Sequence, residues 1–381
     1  MIPRTVYDSD HELFRDSVRK FFESEALPFH EQWEKEGQID RELWRKAGEL
    51  GLLAPTVPEA YGGLELDFRY NAIVGEEFSR LGLMGVGFGL HSDIAVPYIV
   101  NFGTEAQKQK YLPGCVSGDI VTAIAMTEPG TGSDLQGVKT TAILDGDEYV
   151  INGSKTFITN GQHADLVVVV CKTDPGAGAK GTSLILVEAG TPGFQKGSNL
   201  EKVGMKAQDT SELFFQDVRV PKENLLGAEG QGFAYLMREL PQERLSIAVL
   251  AVSHARSIVD QTVEYVKERK AFGKSVATFQ NTQFELAEMD AELTAMRVFV
   301  DRCLELHVDG NLDTVTASKA KLLATELQFK TINRCLQLHG GYGYMWEYPV
   351  ARAFADSRVQ CIYGGTSEIM KLIIGRALLT E

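Results

Sequence analysis

The sequence predicts an α+β chain built in three parts: helical, then β, then helical again. Three observations carry that order. Apolar residues recur at spacings of three and four through the first third of the chain. Near Asp119 the pattern changes to short runs rich in β-branched residues with turn signals between them. From Gly232 helical spacing returns and holds through Lys270 in one long amphipathic pattern. These changes set domain limits of 1–120, 121–230 and 231–381.

Ser9-Asp10-His11-Glu12 reads as a capping box. Leu13, Phe14, Val18, Phe21 and Phe22 follow at helical spacing until Pro28. A second helix spans Asp40 to Leu50, with Leu43, Trp44, Ala47 and Leu50 inward and Gly51 as the stop. Pro58 to Gly63 is a turn, and Tyr70 to Leu81 and His91 to Phe102 are further helices. Thr104 and Gln107 form another capping box, whose helix ends by Pro113.

The β part reads as strands at Val121–Thr127, Val138–Leu144, Tyr149–Ile151, Lys155–Ile158, Leu166–Cys171, Thr182–Val187 and Glu212–Val218. Asp145-Gly146 and Asn152-Gly153 are hairpin signals. Short sequential strands of this kind suggest a compact barrel or sandwich. Gly176-Ala177-Gly178 reads as a flexible loop. In the last part, Leu236, Leu240, Ile247, Leu250, Ile258 and Val266 mark the buried face of the long helix. Pro241 lies inside it and should kink it, freeing the Met237 carbonyl. Asn281–His307 and Thr314–Leu338 follow, with Gly310 and Gly340 as breakers, and Ser367–Leu379 closes the series.

Composition bounds the function. The 381 residues carry a net charge of −14, which argues against nonspecific binding to nucleic acid. The five cysteines, Cys115, Cys171, Cys303, Cys335 and Cys361, form no CxxC pair and read as buried free thiols of a reducing compartment. Seven scattered histidines without HExxH offer no metal site. The first ten residues lack an apolar signal core, so the expected location is cytoplasmic, and no apolar run approaches membrane-spanning length.

Glu243 lies just past Pro241, with Leu240, Ser246 and Ile247 on the same helix face. A carboxylate desolvated there would gain the basicity of a general base. On the helix alone, exposure or a simple pair with Arg244 is the preferred explanation. Four other features converge with it. The first is Ala125-Met126-Thr127-Glu128-Pro129-Gly130-Thr131-Gly132-Ser133-Asp134, where glycines allow close backbone approach and hydroxyls offer neutral hydrogen bonds. It is no dinucleotide fingerprint, since Leu135 stands where the last glycine would be. The second is Phe157-Ile158-Thr159 at a strand end. The third is Arg269-Lys270-Ala271-Phe272-Gly273 with Gln280. The fourth runs from Gln337 through Gly340-Gly341-Tyr342-Gly343 to Cys361-Ile362-Tyr363-Gly364-Gly365-Thr366-Ser367-Glu368. Each glycine cluster alone is commonly a loop.

In this order and spacing the motifs resemble the acyl-CoA dehydrogenase family along the whole chain. Leu240 to Arg244 within ELPQER, QLHGGYGYMWEYP and IYGGT most resemble its long-chain branch. The resemblance implies a helical N-terminal domain, a β-barrel, a C-terminal helical bundle, bound FAD and a homotetramer. It also implies dehydrogenation of a medium- to long-chain acyl-CoA to trans-2-enoyl-CoA in fatty-acid β-oxidation, with hydride passing to flavin N5 and electrons to an electron-transfer flavoprotein. Many relatives carry the catalytic glutamate in the last loop, where this chain has Gly364. The long-chain and isovaleryl branches carry it on the long helix, where this chain has Glu243. Catalytic roles therefore fall to Glu243 and to the Gly364 backbone N–H. By the same resemblance Ile124, Ala125, Met126, Thr127, Gly132, Ser133, Phe157, Ile158 and Thr159 line the flavin. Arg269, Phe272, Gln280, Gln337, Leu338, His339, Gly340, Gly341, Thr366, Ser367 and Glu368 hold its ADP part, some across a subunit interface. Ser133, Ala179, Lys180, Leu240, Pro241, Gln242, Glu243, Arg244, Ile247, Gly364 and Gly365 contact acyl-CoA. Two relatives are rivals. An acyl-CoA oxidase would carry a further C-terminal domain, and a DNA-binding flavoprotein of the same fold would need a basic surface.

Overall fold

The structure, a computed structural model, describes residues 2–380. Helix α1 (Ser9–Phe21) starts one residue earlier than the capping box expected at Ser9. Its N-cap is Asp8, whose carboxylate accepts from the Asp10 and His11 amides while His11 reciprocates. A charged acceptor at the positive end of a helix is preferred over a hydroxyl. Helices α2 (His30–Glu36) and α3 (Arg41–Glu49) follow. Leu43, Trp44 and Ala47 are buried as expected, whereas Leu50 is exposed because the helix has already ended. Helix α4 (Phe68–Arg80) leads to a wider π-turn, Leu90–Ala95, that flows into α5 (Val96–Phe102). Thr104 and Gln107 cap α6 (Glu105–Ser117) reciprocally. That helix runs through Pro113 instead of stopping there, because Leu112, Cys115 and Val116 on either side of the proline are buried. Packing outweighs the one missing backbone bond.

The middle part is one eight-stranded sheet. Its strands are β1 (Thr122–Ala125), β2 (Thr141–Asp145), β3 (Glu148–Thr159), β4 (Leu166–Lys172), β5 (Thr182–Glu188), β6 (Phe194–Asn199), β7 (Thr210–Pro221) and β8 (Leu225–Leu226). Their order is β6-β7-β3-β2-β4-β5-β8, with β1 beside β4. The pairs β1–β4 and β2–β4 are parallel and the rest antiparallel. Asp145-Gly146 makes the expected hairpin. Asn152-Gly153 does not turn. It sits inside β3 as a bulge against β7, and a side chain at Gly153 would strike Thr140. The two short runs expected there are therefore one strand. The 176–178 segment passes into a short helical turn, Gly178–Gly181.

Helix α7 (Gly232–Glu268) is 37 residues long and runs on through Pro241. After a small hairpin, β9 (Lys270–Ala271) with β10 (Lys274–Ser275), come α8 (Gln280–Val308), α9 (Thr314–His339), α10 (Pro349–Ser357) and α11 (Ser367–Leu379). One core joins α4 to α7 and α8 through Phe68, Ala72, Leu245, Val252, Met296 and Val300. Arg4 binds the same elements together, meeting Glu76 on α4 at 2.7 Å and Asp301 on α8 at 2.6 Å. Arg15 reaches Glu76 from α1 at 2.7 Å. Burial alone would raise the Glu76 carboxyl, but Arg4 and Arg15 hold it at about 2. No helix among the described residues is long and apolar enough to cross a membrane.

Candidate active site

Glu243 is 4% exposed, and Leu240, Ser246 and Ile247 are buried beside it on α7. The phenol of Tyr98, on α5, donates to Glu243 Oε1 at 2.9 Å. Burial pushes the Glu243 carboxyl up to about 7, with Tyr98 opposing the rise and Glu239 adding to it. Neither of the simpler explanations for Glu243 survives. The residue is not exposed, and Arg244 spends its Nη1 on Ser318 Oγ at 3.2 Å.

The loop after α10 comes to the same face. Gly364 has φ +61° and Gly365 φ +97°, a region that disfavours side chains. A Cβ at Gly364 would run into Ile247 Cδ1, one turn along α7 from Glu243. A Cβ at Gly365 would stand 3.9 Å from Arg244 Nη2. The loop is held from beneath by Lys321, which is wholly buried on α9 and donates to the Gly365 carbonyl at 2.7 Å. Burial lowers the Lys321 ammonium to about 8. The Gly364–Gly365 loop thus packs against Ile247 and Arg244, which flank Glu243 on α7. Gln242 does not join them. Its Nε2 donates to the Asp93 carbonyl at 2.7 Å and its Oε1 lies 3.1 Å from His307 Nε2, so its amide is spent on the fold. Ala179 and Lys180 also lie apart. Gly230 packs on the Lys180 carbonyl at the start of α7, and from Gly232 to Glu243 is about 17 Å of helix.

The first two glycine- and hydroxyl-bearing motifs are laced side by side. Lys155 Nζ, on β3, donates to the Met126 carbonyl at 3.0 Å and to Glu128 Oε1 at 2.9 Å. The Thr156 amide donates to the Thr127 carbonyl at 3.0 Å. Ile124, Ala125 and Ile158 are buried behind this edge, while Thr127 and Thr159 are half-buried at it. Phe157 is 67% exposed at φ +59°, a conformation costly for an aromatic residue that turns its ring outward at a β-bulge. A side chain at Gly130 or Gly132 would meet nothing within 4 Å.

A cavity of about 420 Å³ brings together Arg269, Gln337, Leu338, His339, Gly340 and Gly341 with Tyr265 and Tyr342. The Arg269 guanidinium lies 5.2 Å over the Tyr342 ring and has no carboxylate partner among the described residues. Gly340 and Gly341 open onto free space. An unpaired cation beside two unobstructed glycines suits an anionic diphosphate, so these residues fit FAD. Phe272, 94% exposed at φ +51°, and the exposed Gln280 stand outside this lining. Thr366, Ser367 and Glu368 form the first turn of α11, with Thr366 Oγ1 capping the Ile369 amide at 3.3 Å. They follow Gly364–Gly365 directly in the chain and are not among the residues lining that cavity. A larger hollow of about 840 Å³, lined by Arg4, Arg15, Glu76, His254 and Arg297 among others, contains none of the catalytic, flavin or acyl-CoA residues expected from sequence.

Sequence reasoning missed Tyr98, Ser318 and Lys321. Tyr98 lies in HSDIAVPYIV, where nothing local marks it, and Lys321 is one of several lysines on its helix. Four cysteines are buried as expected, Cys361 is half-buried, and all five are free thiols. No group of three His, Cys, Asp or Glu residues capable of holding a metal occurs among the described residues.

Comparison with known proteins matches all three parts of the chain. The N-terminal, middle and C-terminal domains of acyl-CoA dehydrogenase match residues 8–119, 123–218 and 230–379. The mitochondrial long-chain specific acyl-CoA dehydrogenase of Rattus norvegicus is 53% identical over 99% of this chain and 88% of its own. The crystal structure of an acyl-CoA dehydrogenase from Geobacillus kaustophilus superposes with a TM-score of 0.97, at 53% identity, covering 99% of this chain and 100% of that one. An acyl-CoA dehydrogenase from Bacillus anthracis complexed with FAD superposes at 0.94, at 35% identity over 100% of this chain and 69% of its own. With all three of the family's domains matched in order along the chain, it belongs to the FAD-dependent acyl-CoA dehydrogenases.

Proposed function

We propose that the protein dehydrogenates a medium- to long-chain acyl-CoA to the trans-2-enoyl-CoA in fatty-acid β-oxidation, with Glu243 as the base. The observation that carries this reading is the buried Glu243 carboxylate, held by Tyr98 and poised at about 7 beside the Gly364 loop. A carboxyl so placed is ionised in a growing fraction above neutral pH and basic enough to take an α-proton. The Gly364 N–H has no acceptor among the described residues and serves the thioester oxygen as its charge develops. Lys321 keeps the peptide of Gly365 in place while this happens. FAD, when bound, accepts the hydride from the β-carbon. Arg244, Leu240 and Ile247 wall the acyl group and exclude water from Glu243. Acyl chains longer than about eight carbons are favoured, each buried methylene adding roughly 0.8 kcal/mol.

The electron acceptor in this reading is an electron-transfer flavoprotein. The assembly is a homotetramer, supported by Phe284, Val298, Leu323 and Leu372, apolar side chains left exposed on α8, α9 and α11. Five free thiols support a reducing compartment, taken here as the cytoplasm. Glu243→Gln tests the core of the proposal. Anaerobic flavin bleaching by a panel of acyl-CoAs should slow by about 10²–10⁴-fold while acyl-CoA still binds. Bleaching at the parental rate would place the base elsewhere.

A further inference from the structure

Helix α5 meets α7 through two parallel bridges. Tyr98 and Asn101 are a turn apart on α5, and Glu243 and Glu239 a turn apart on α7, so each pair shares one helix face. Tyr98 Oη donates to Glu243 Oε1 at 2.9 Å, and Asn101 Nδ2 donates to Glu239 Oε1 at 3.0 Å. The reaction described above uses only the first bridge. Glu239 is 6% exposed, scarcely better hydrated than Glu243. It has no ion-pair partner among the described residues, and its exposed neighbour Arg238 lies over the Phe102 ring at 5.3 Å. The groups facing Glu243 are Tyr98 from α5 and Glu239 and Arg244 from α7. Those facing Glu239 are Asn101 from α5 and Arg238 from α7. Glu239 thus sets a second carboxylate one turn from the base, about 6 Å away in helix rise.

We propose that Glu239 is a positioning residue for the reaction: with Asn101 it fixes the face of α7 that carries Glu243 and sets a second carboxylate beside the base. Two carboxylates in poorly hydrated surroundings repel, and a proton on one relieves the repulsion. The gain is catalytic, because a more basic Glu243 takes the weakly acidic α-proton more readily and returns it less readily. The raised carboxyl of Glu239, itself a result of burial, agrees with that environment.

The inference rests on Glu243 being the base, and the test separates the two. The FAD-loaded full-length protein is mixed anaerobically with excess lauroyl-CoA, and the rate of flavin bleaching is followed from pH 5.5 to 9. In the parental protein the rate rises with pH as Glu243 ionises. Glu239→Gln removes a negative neighbour and should move that acid limb to lower pH by about 0.5–1 unit. Asn101→Asp adds one and should move the limb the other way. A bracing role alone would lower the rate at every pH and leave the limb fixed. Limbs of both variants that coincide with the parental one overturn the proposal, and if Glu239→Gln loses its flavin, the direction of Asn101→Asp decides alone. Glu243→Gln is run alongside. Retention of the parental rate by that variant removes the base itself, whereas its loss with immobile limbs removes only the role of Glu239.

Discussion

Ile247 Cδ1 fills the space into which a side chain at Gly364 would have to grow. A loop carboxylate at position 364 is therefore blocked by Ile247, which lies one turn along α7 from Glu243. Moving the carboxylate from Glu243 to the loop needs room as well as a new residue. In a Glu243→Gln background, Gly364→Glu should restore little flavin bleaching, since φ +61° adds a cost of about 1 kcal/mol to the clash. Adding Ile247→Ala should raise the rate about tenfold or more over that double variant. Equal rates for the double and triple variants would show that the loop carboxylate does not reach the substrate.

Tyr98→Phe isolates the hydrogen bond to the base. The phenol stabilises the ionised form of Glu243, so its loss should raise a carboxyl already near 7. The acid limb of flavin bleaching should move up by about 0.5–1 pH unit. Activity should fall more at pH 6.5 than at pH 8.5, and a uniform fall across that range would mean that Tyr98 only packs.

Phe157 is exposed in a strained conformation, an arrangement that folding alone does not favour. Phe157→Asn, a residue that tolerates φ +59°, should leave the apoprotein as stable or gain up to about 1 kcal/mol. FAD retention should drop about tenfold for loss of the aromatic face. Urea unfolding of the apoprotein and flavin release on dilution check the two halves separately. Unchanged retention would remove Phe157 from the flavin site.

Much of this was legible in the chain. The long helix, the two helices after it and the last one follow from apolar spacing that persists over many turns, so local errors average out. Residue Glu243 could be singled out because burial of a carboxylate can be read from its neighbours on one face. Strand β6 could not, since FQKGSN holds no β-branched residue, and the stacking of Phe194 on Phe215 shows only once β7 lies beside it. Asn152-Gly153 misled because the same dipeptide serves a turn or a bulge, and only Thr140 behind it decides which. Tyr98, Asn101 and Lys321 act on groups more than forty residues away in sequence, and no local pattern encodes such a partner.

Glu76→Gln should cost about 3–5 kcal/mol, because it leaves the buried Arg15 and the half-buried Arg4 without their shared carboxylate. The pH dependence has a definite sign. Glu76 is held at about 2 in the folded protein against an ordinary 4.5, so its contribution is present above about pH 4.5 and lost as the pH falls through 2. Urea unfolding at pH 7 reads the loss, and acid unfolding should be less steep in the variant within that window. A variant within about 1 kcal/mol of the parent at pH 7 would show that the cluster is open to water.

Asp301 meets Arg4 across 297 residues of sequence. A ribosome extends a chain by about 5–20 residues per second, so the first helices wait roughly 15–60 s for α8 to appear. Until then Phe68 and Ala72 lack first Leu245 and Val252 and then Met296 and Val300, the side chains that cover them. The amino-terminal helices are made first yet are sealed last. A nascent chain halted after its sheet would still offer the face of α4 to chaperones and proteases, and completion of the carboxyl-terminal helices is what withdraws it.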